Sequence, residues 1–350
     1  MKKEISTIEQ KRKVFVGLDV HLASYAVSVV EEGRSRRKWT MPAEPSSLAE
    51  KLMKDYQGYE IHSVYEAGFS GFVLHRTLEA AGILNIVVHA ASVAVRTADR
   101  VKTDRRDAQK LADQLAAGML TGIRIPSIEQ ELHRQLSRLR QQLMRDRVRV
   151  MVQIRRRLYH FGYLQGYQGV LRRKDIKELI EKLPPNELSI TVETHYRLWE
   201  SIEQELKYIN KRLAEQASTC SLDALYQRVP GIGRVSARIL ANELGDLQQF
   251  RSQKALYRFV GLTPSEHSSG ERVRRGNISR QGSSVLRKIL VEAAWVAIRK
   301  DSGLRGYYSQ LAARAGGKKA IVAVARKLIG RARAVLRSKG EYREAETLVA

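Results

Sequence analysis

Two aspartates three positions apart, Asp104 and Asp107, lie in the basic segment KTDRRDAQKLAD, residues 102–113. If this segment is helical, both carboxylates share one face, because positions i and i+3 are neighbours on a helix surface. Two like charges held that close repel each other unless something neutralises them. Either the basic residues of the same segment soften this repulsion, or the pair belongs to a metal site. We favour the metal.

Two further acidic residues end short apolar runs that predict strands, Asp19 in GLDV and Glu66 in VYEAG. Carboxylates are the ligands that hard divalent cations such as Mg²⁺ prefer. Two such ions about 4 Å apart can stabilise the attacking and the leaving oxygen of a phosphoryl transfer. A single aspartate at a strand end is more often a turn or cap residue. The order of one aspartate, one glutamate and an aspartate pair, however, is typical of a metal-dependent nuclease with an RNase H-like sheet.

A Gly-x-Gly turn separates two helical patterns in VPGIGRVSARIL, residues 229–240. Gly231 and Gly233 would let backbone N–H groups and a helix N-terminus approach a phosphate, as in a helix-hairpin-helix. The alternative is an ordinary corner between two helices. We predict that both glycines contact nucleic acid.

Serines and arginines are concentrated in EHSSGERVRRGNISRQG, residues 266–282. A serine beside glycine in such a connector is usually part of a turn. The surrounding arginines nevertheless suit a hydroxyl that attacks a phosphate, because arginine binds phosphates bidentately and stabilises developing charge. The arginines assigned to phosphate binding are Arg272, Arg274, Arg275 and Arg280. No G-x-S-x-G motif is present, which argues against a Ser/His/Asp hydrolase, and His267 is as well explained as a loop residue.

The acidic residues must be positioned by alternating strands and helices, which we place in a first domain at residues 10–125. Strands are predicted at residues 14–20, 25–31, 60–67 and 85–90, and helices at 46–56 and 71–82. The first two strands are joined by a short polar connection, which predicts a hairpin. Strands that alternate with helices indicate an α/β layer on a mixed sheet.

Residues 126–216 are predicted to form a helical region. Its apolar residues keep a near-heptad spacing, interrupted near Asp146, at Leu132, Leu136, Leu139, Leu143, Val150, Ile154 and Phe161. Residues 134–157 contain nine arginines and one acidic residue. This segment is either one amphipathic helix packed within the chain or, as we favour, a dimerising coiled coil with a phosphate-facing flank. A second helix, at 195–216, could return antiparallel after the Pro-Pro break at 184–185.

Residues 217–340 predict a third, mainly helical domain that opens with the Gly-x-Gly turn. Its clearest helical patterns lie at residues 285–300 and 318–337. The serine- and arginine-rich connector interrupts them.

The composition of the 350-residue chain indicates a polyanionic partner. Lys and Arg number 62 against 37 Asp and Glu, for a net charge of +25, and such a field attracts nucleic acid. No apolar run approaches the roughly 18 residues of a membrane span, and the first residues are not typical of a signal peptide. The lone Cys220 excludes an internal disulfide framework and a cysteine-rich zinc site. We therefore expect a cytoplasmic protein that acts on DNA or RNA, without a membrane partner.

Together these motifs resemble, over nearly the whole chain, the DEDD transposases of insertion-sequence family 110/1111, relatives of the Piv-type DNA invertases. GLDVH, YEAG and KTDRRDA resemble the family's RuvC-like acidic motifs. PGIG and the following segment from LGDLQQF to VEAAW resemble its C-terminal transposase domain. The resemblance implies a RuvC/RNase H-like N-terminal domain, a coiled-coil middle region and a mainly helical C-terminal domain.

The resemblance also implies roles for single residues. The metal-binding tetrad of the family is matched by Asp19, Glu66, Asp104 and Asp107. The nucleophilic serine is matched best by Ser269, directly before Gly270, with Ser268 adjacent to it.

The implied activity is recombination, in which DNA is cut and rejoined through a covalent phosphoserine link with the assistance of Mg²⁺. The family further implies active sites that combine the tetrad of one subunit with the serine of another. It implies a homo-oligomer, dimeric and then tetrameric in the synapse. A structured bridge-type RNA from the element's non-coding end would pair with donor and target DNA, while a basic protein surface holds the backbones.

Two other functions fit parts of the sequence. A Holliday-junction resolvase or related metal nuclease would use the acidic tetrad alone, but this reading leaves more than half of the chain unexplained. A nucleic-acid-binding protein without catalysis would use the acids as structural caps.

Overall fold

The computed structural model describes residues 12–31, 34–94, 103–266, 275–279 and 281–342. The chain divides into two compact units, Met1–Pro126 and Ser127–Ala350. The predicted further division near residue 216 stays a prediction.

The first unit alternates strands and helices. Its elements are β1 (Lys13–Val20), β2 (Ser24–Glu31), β3 (Arg34–Pro42), α1 (Pro45–Asp55), β4 (Glu60–Glu66), α2 (Val73–Ala80), β5 (Leu84–Val88), a 3₁₀ turn (Ala90–Ser92) and α3 (Asp104–Ala116).

The described strands of this unit form one mixed sheet in the order β3-β2-β1-β4-β5. β1 pairs antiparallel with β2, and β2 with β3, whereas β1, β4 and β5 run parallel. The predicted hairpin and the mixed α/β sheet are therefore confirmed. β3 was not predicted, because its sequence RSRRKWTMP lacks the apolar alternation by which strands are recognised.

Helices cover both faces of the sheet. Successive strand residues point to opposite faces. Val16 and Leu18 are buried with α1 and α2, whereas Gly17 and Asp19 point to the face covered by α3. On that second face, Leu111 of α3 is buried in a smaller cluster with β4 and β5 residues.

The backbone of α3 lies very close to β1 at Gly17. A Cβ atom at this position would stand 2.0 Å from the carbonyl oxygen of Ala108 and 2.5 Å from the amide nitrogen of Ala112. Such a contact is open only to a residue without a side chain. Gly17 therefore sets the distance between α3 and the sheet.

The second unit is mostly helical. Its elements are α4 (Ile128–His160), α5 (Arg173–Glu181), α6 (Glu187–Ser218), α7 (Ser221–Gln227), α8 (Arg234–Leu244), α9 (Gln253–Phe259), β6 (Pro264–Glu266), β7 (Arg275–Ile278), α10 (Ser284–Lys300), α11 (Ser302–Ala315) and α12 (Gly317–Ser338).

The long helices α4 and α6 pack antiparallel, as the sequence suggested. Arg140 donates to the side chain of Asn210 at 2.7 Å. Seven residues further along α4, Arg147 pairs with Glu203 at 3.2 Å. The Pro-Pro break lies between α5 and α6, where Asn186 caps the N-terminus of α6 by accepting from backbone N–H groups.

The predicted heptad row of α4 does not form one continuous seam. Val150 and Ile154 are buried toward α6, whereas Leu132 and Leu139 are exposed. The first half of α4 instead buries Ser137, whose hydroxyl accepts from Asn242 of α8 at 2.7 Å. Different faces of α4 are thus buried along its length, because its two halves have different partners. A role of this helix in dimerisation stays a prediction.

Helices α7 to α12 share one core, in which residues of α8, α10 and α12 are fully buried. No helix in the described parts of the chain is both long and apolar enough to cross a bilayer.

We predict that Gly17→Ala destabilises the first unit. The added methyl group must push α3 away from β1, and overpacking of this kind costs about 1–3 kcal/mol. Chemical denaturation followed by circular dichroism measures the loss. Gly68→Ala is the matched control, because a Cβ there would lie 3.9 Å from the Glu66 carbonyl oxygen, an ordinary van der Waals contact. Equal stability of the two variants would contradict the assigned role of Gly17.

Candidate metal centre and nucleic-acid surfaces

Two of the predicted acidic residues lie side by side at the carboxyl ends of the neighbouring strands β1 and β4. Asp19 is near the end of β1, and Glu66 is the last residue of β4. The parallel register pairs Leu18 with Tyr65, so the next residue of each strand points to the opposite face, which α3 covers. The sheet therefore directs Asp19 and Glu66 toward the same side.

The contact at Gly17 explains how Asp104 reaches the carboxyl end of β1. Asp19 lies two residues beyond Gly17, about 6.6 Å along a strand. Asp104 lies four residues before Ala108, about 6 Å along a helix. Because these steps are nearly equal, α3 running opposite to β1 brings the two aspartates together.

His21 joins the two aspartates. Its Nε2 atom lies 3.2 Å from Oδ2 of Asp19 and 3.3 Å from Oδ2 of Asp104. One donor atom from each of the three side chains lies within 4.8 Å of the others, an arrangement that could hold a metal ion. No role for His21 is predicted from the sequence, although its place two residues after Asp19 in GLDVH is a usable signal.

Electrostatic repulsion is present in this group of side chains. The pKa of Asp19 is raised, first because burial disfavours the charged carboxylate and further because Asp104 and Asp107 add negative charge, while His21 opposes the shift. Both aspartates of α3 lie in its first turn, where the helix dipole stabilises negative charge. The cluster is thus a like-charge site that a cation would relieve.

The donor set fits a divalent cation. Carboxylate oxygens suit Mg²⁺ and Mn²⁺, and an imidazole nitrogen adds affinity for transition metals. Asp19, His21 and Asp104 form the tight group among the described residues. Asp107 lies close enough for its charge to act on Asp19, and Glu66 lies on the neighbouring strand. The metal-ligand role of the four acids stays a prediction.

The two glycines of the predicted phosphate-binding turn have different surroundings. Gly231 has φ +86°, and a Cβ there would stand 2.1 Å from the carbonyl oxygen of Ala293 in α10. Close packing against α10 therefore accounts for this glycine without a ligand. Gly233 has open space around its Cβ position and precedes the N-terminus of α8, so it is the better placed of the two for a phosphate.

The serine loop falls mainly outside the described residues. Ser268, Ser269, Arg272, Arg274 and Arg280 are among those not described. β6 and β7 flank this segment as an antiparallel pair, with Glu266 opposite Arg275, of which only the backbone is described. Both roles, nucleophile and phosphate binding, stay predictions.

The outer face of α4 carries exposed arginines. Arg138 and Arg149 form ion pairs with Glu243 and Asp146. Arg155 and Arg156 are exposed near the end of the helix. Cations on a helix face are the groups that bind nucleic-acid phosphates.

Acidic side chains buried in the second unit have arginine partners instead. Asp223 and Arg238 are both buried and lie 2.9 Å apart. Asp301 contacts Arg331 at 2.6 Å and caps α11 by accepting from the amide of Leu304. These carboxylates are neutralised within the protein, unlike the cluster at Asp19.

Two family models each match one part of the chain. Residues 16–161 match the DEDD model of the IS110 type, described as "Transposase". Residues 223–309 match the "Transposase IS116/IS110/IS902 family".

Individual relatives extend over most of the chain. The y4qE protein of Sinorhizobium fredii is 29% identical over 91% of this chain and 87% of its own length. The transposase for insertion sequence element IS1533 of Leptospira borgpetersenii is 28% identical over 81% of this chain and 85% of its own. The transposase for IS1111A of Coxiella burnetii is 28% identical over 65% and 64% respectively.

We predict that Asp19→Asn stabilises the metal-free protein at neutral pH. Because the pKa of Asp19 is raised in the folded protein, its ionisation lowers the free energy of unfolding. The whole of this loss applies at pH values above the folded-state pKa. The neutral amide removes this cost, so melting temperature should rise by roughly 2 °C or more at pH 7. The difference should vanish as pH falls below 3.8, the ordinary pKa of an aspartate, where the carboxyl group is protonated in both states.

Thermal melts across pH, with chelator and then with Mn²⁺, provide the measurement. Mn²⁺ should raise the melting temperature of the parent but not that of the variant. A lower melting temperature for the variant at pH 7, with chelator present, would contradict the raised pKa of Asp19.

Proposed function

The chain belongs to the IS110/IS1111 family of insertion-sequence transposases, and from this premise we propose that it cuts and rejoins DNA through a covalent phosphoserine intermediate. Ser269 is the proposed nucleophile. The proposed metal ligands are Asp19, Glu66, Asp104 and Asp107. The observation that carries the proposal is the convergence of Asp19 and Asp104 on His21 at the end of the sheet.

The strand order supports a RuvC-like assignment of the first unit. A hairpin at one side of β1 and parallel strands at the other put the ends of β1 and β4 next to each other. Asp19 on the central strand β1 and Glu66 on its parallel neighbour β4 are therefore adjacent. This is the arrangement that the resemblance to RuvC-like domains implies.

The carboxylates would hold Mg²⁺, which when bound supplies positive charge to a phosphate that is being attacked. Asp19 and Asp104 fix the position of that charge, because they are attached to a buried strand and to the first turn of α3. His21 holds the two carboxylates in place through its contacts at 3.2 and 3.3 Å.

The serine step exchanges one phosphoester for another. The Ser269 hydroxyl loses its proton, its oxygen bonds to phosphorus, and the bond from phosphorus to a deoxyribose oxygen breaks as that oxygen takes up a proton. A hydroxyl of a second DNA end then reverses the step, which rejoins the strands without an external energy source. Arg272, Arg274, Arg275 and Arg280 are the proposed phosphate contacts.

A guide RNA is the proposed source of target specificity. The net charge of +25 and the exposed arginines of α4 supply affinity for backbones of any sequence. Base pairing with a structured RNA would supply the sequence recognition that such contacts lack.

A homo-oligomer, dimeric and tetrameric in the synapse, is proposed to complete each active site in the cytoplasm. Exposed apolar residues of α4 support the homo-oligomer, since the side chains of Val148, Val152 and Tyr159 are exposed at 55%, 46% and 69%. An apolar row of this kind suits contact with a second copy.

We predict that Ser269→Ala abolishes both rejoining and the covalent protein–DNA adduct, while Ser268→Ala keeps both. Asp104→Asn should lower adduct formation by about a hundredfold or more, because charge stabilisation of the reacting phosphate is lost. Denaturing gels of labelled DNA reveal the adduct, and sequencing of junctions reveals rejoining.

Each outcome separates the candidate functions. If Ser269→Ala still cleaves and Asp104→Asn does not, the chain acts as a resolvase-like nuclease. If neither changes any activity, the acids are structural. Binding of DNA should survive both substitutions, because the basic surface supplies it.

A further inference from the structure

The second unit contains a cleft of about 510 Å³ between the β6–β7 hairpin and the helices α9, α11 and α12. This volume falls in the range of small-ligand sites, roughly 300–1,000 Å³. The two strands that form one wall are joined by residues 267–274, which include Ser269 and lie outside the described residues. The cleft is therefore next to the proposed nucleophile in the chain.

Three cations from α12 line the cleft, namely Lys319, Arg326 and Lys327. No acidic residue is among its described lining residues. Positive charge without carboxylates favours an anionic ligand. Lys319 and Arg326 are seven residues apart, about two turns of the helix, which puts them on the same face of α12.

Two tyrosines orient two of these cations, Arg326 and Lys327. The guanidinium carbon of Arg326 lies 4.6 Å from the ring centre of Tyr257, and Nζ of Lys327 lies 4.3 Å from that of Tyr307. Cation–π contacts of this kind hold the charges at the wall of the cleft. They also form flat aromatic and guanidinium surfaces on which a base can stack.

The rest of the lining is suited to a base rather than to a phosphate alone. Leu262 and Val322 provide an apolar floor. Asn277 of β7 is exposed at the cleft, and an asparagine amide offers both a donor and an acceptor to a base edge.

We propose that this cleft binds one unpaired nucleotide of a DNA or RNA strand, with its phosphate on Lys319, Arg326 and Lys327 and its base against the tyrosines. The proposal rests on the proposed function, because the strands that form one wall of the cleft flank, in the sequence, the segment that contains the proposed nucleophile. A paired base is excluded, since its faces are stacked and its Watson–Crick edge is occupied.

Photo-crosslinking tests the site directly. The probe is a single-stranded oligonucleotide of about eight nucleotides, a length that one such site can span. It carries one 5-iodouracil. The full chain with Asp104→Asn is used, so that the proposed chemistry is switched off. Mass spectrometry should locate the crosslink at Tyr257 or Tyr307. Crosslinks found elsewhere, or formed equally by a duplex, overturn the proposal.

Paired substitutions on α12 test the charges. Lys319→Gln should weaken binding of the same oligonucleotide and lower the slope of log affinity against log salt by about 0.7, the value for one phosphate contact on a single strand. Lys318→Gln is the control, because it removes an exposed charge from the neighbouring position, which does not line the cleft. An equal effect of both changes would show only a diffuse basic surface and overturn the proposal.

Substitutions of Tyr307 test stacking. Tyr307→Ala should weaken binding about fivefold or more, whereas Tyr307→Phe should retain parental affinity because its ring remains. Loss of affinity in both variants, or in neither, contradicts a stacked base.

If the crosslink fails while the parent still rejoins DNA, the cleft proposal alone falls. If the crosslink forms but no rejoining is found, the fault lies with the proposed function.

Discussion

The contact between Gly17 and the backbone of α3 determines where the acidic residues of the first unit meet. Without a side chain at residue 17, the helix reaches the sheet closely enough to place its first turn beside the end of β1. Asp104 then contacts His21 together with Asp19. The arrangement concentrates negative charge, and the pKa of Asp19 is raised first by burial of its carboxylate and further by the charges of Asp104 and Asp107. Close packing has thus assembled a site that a cation would stabilise.

The second unit carries the exposed cations that the proposed binding of nucleic acid requires. Its long helices pack on each other within the chain, so α4 can present its exposed arginines without losing its buried side. Its buried acids are paired with arginines, whereas the cations of the cleft on α12 have aromatic neighbours. Positive charge is therefore left available at two surfaces, one on a helix and one in a cleft.

The alternation of strands and helices in the first unit was readable from the sequence, because buried strands and amphipathic helices have distinct periods. β3 was missed because its exposed, basic sequence carries no such period. The meeting of Asp19 with Asp104 was inferred from residue type and order, but the reason for it, a backbone contact at Gly17, depends on tertiary packing. For the same reason, the packing of α10 against Gly231 could not be predicted, and the heptad row of α4 was assigned one partner instead of two. The phosphate-binding role of Gly231 stays a prediction.

Anomalous diffraction from crystals soaked in Mn²⁺ tests the central claim most directly. The account predicts a peak within about 2.1–2.2 Å of a carboxylate oxygen of both Asp19 and Asp104, the distance typical of small divalent cations. The His21 side chain should then be a ligand or have moved from its bridging position. Peaks only at other sites, with His21 still between the two aspartates, would contradict the account.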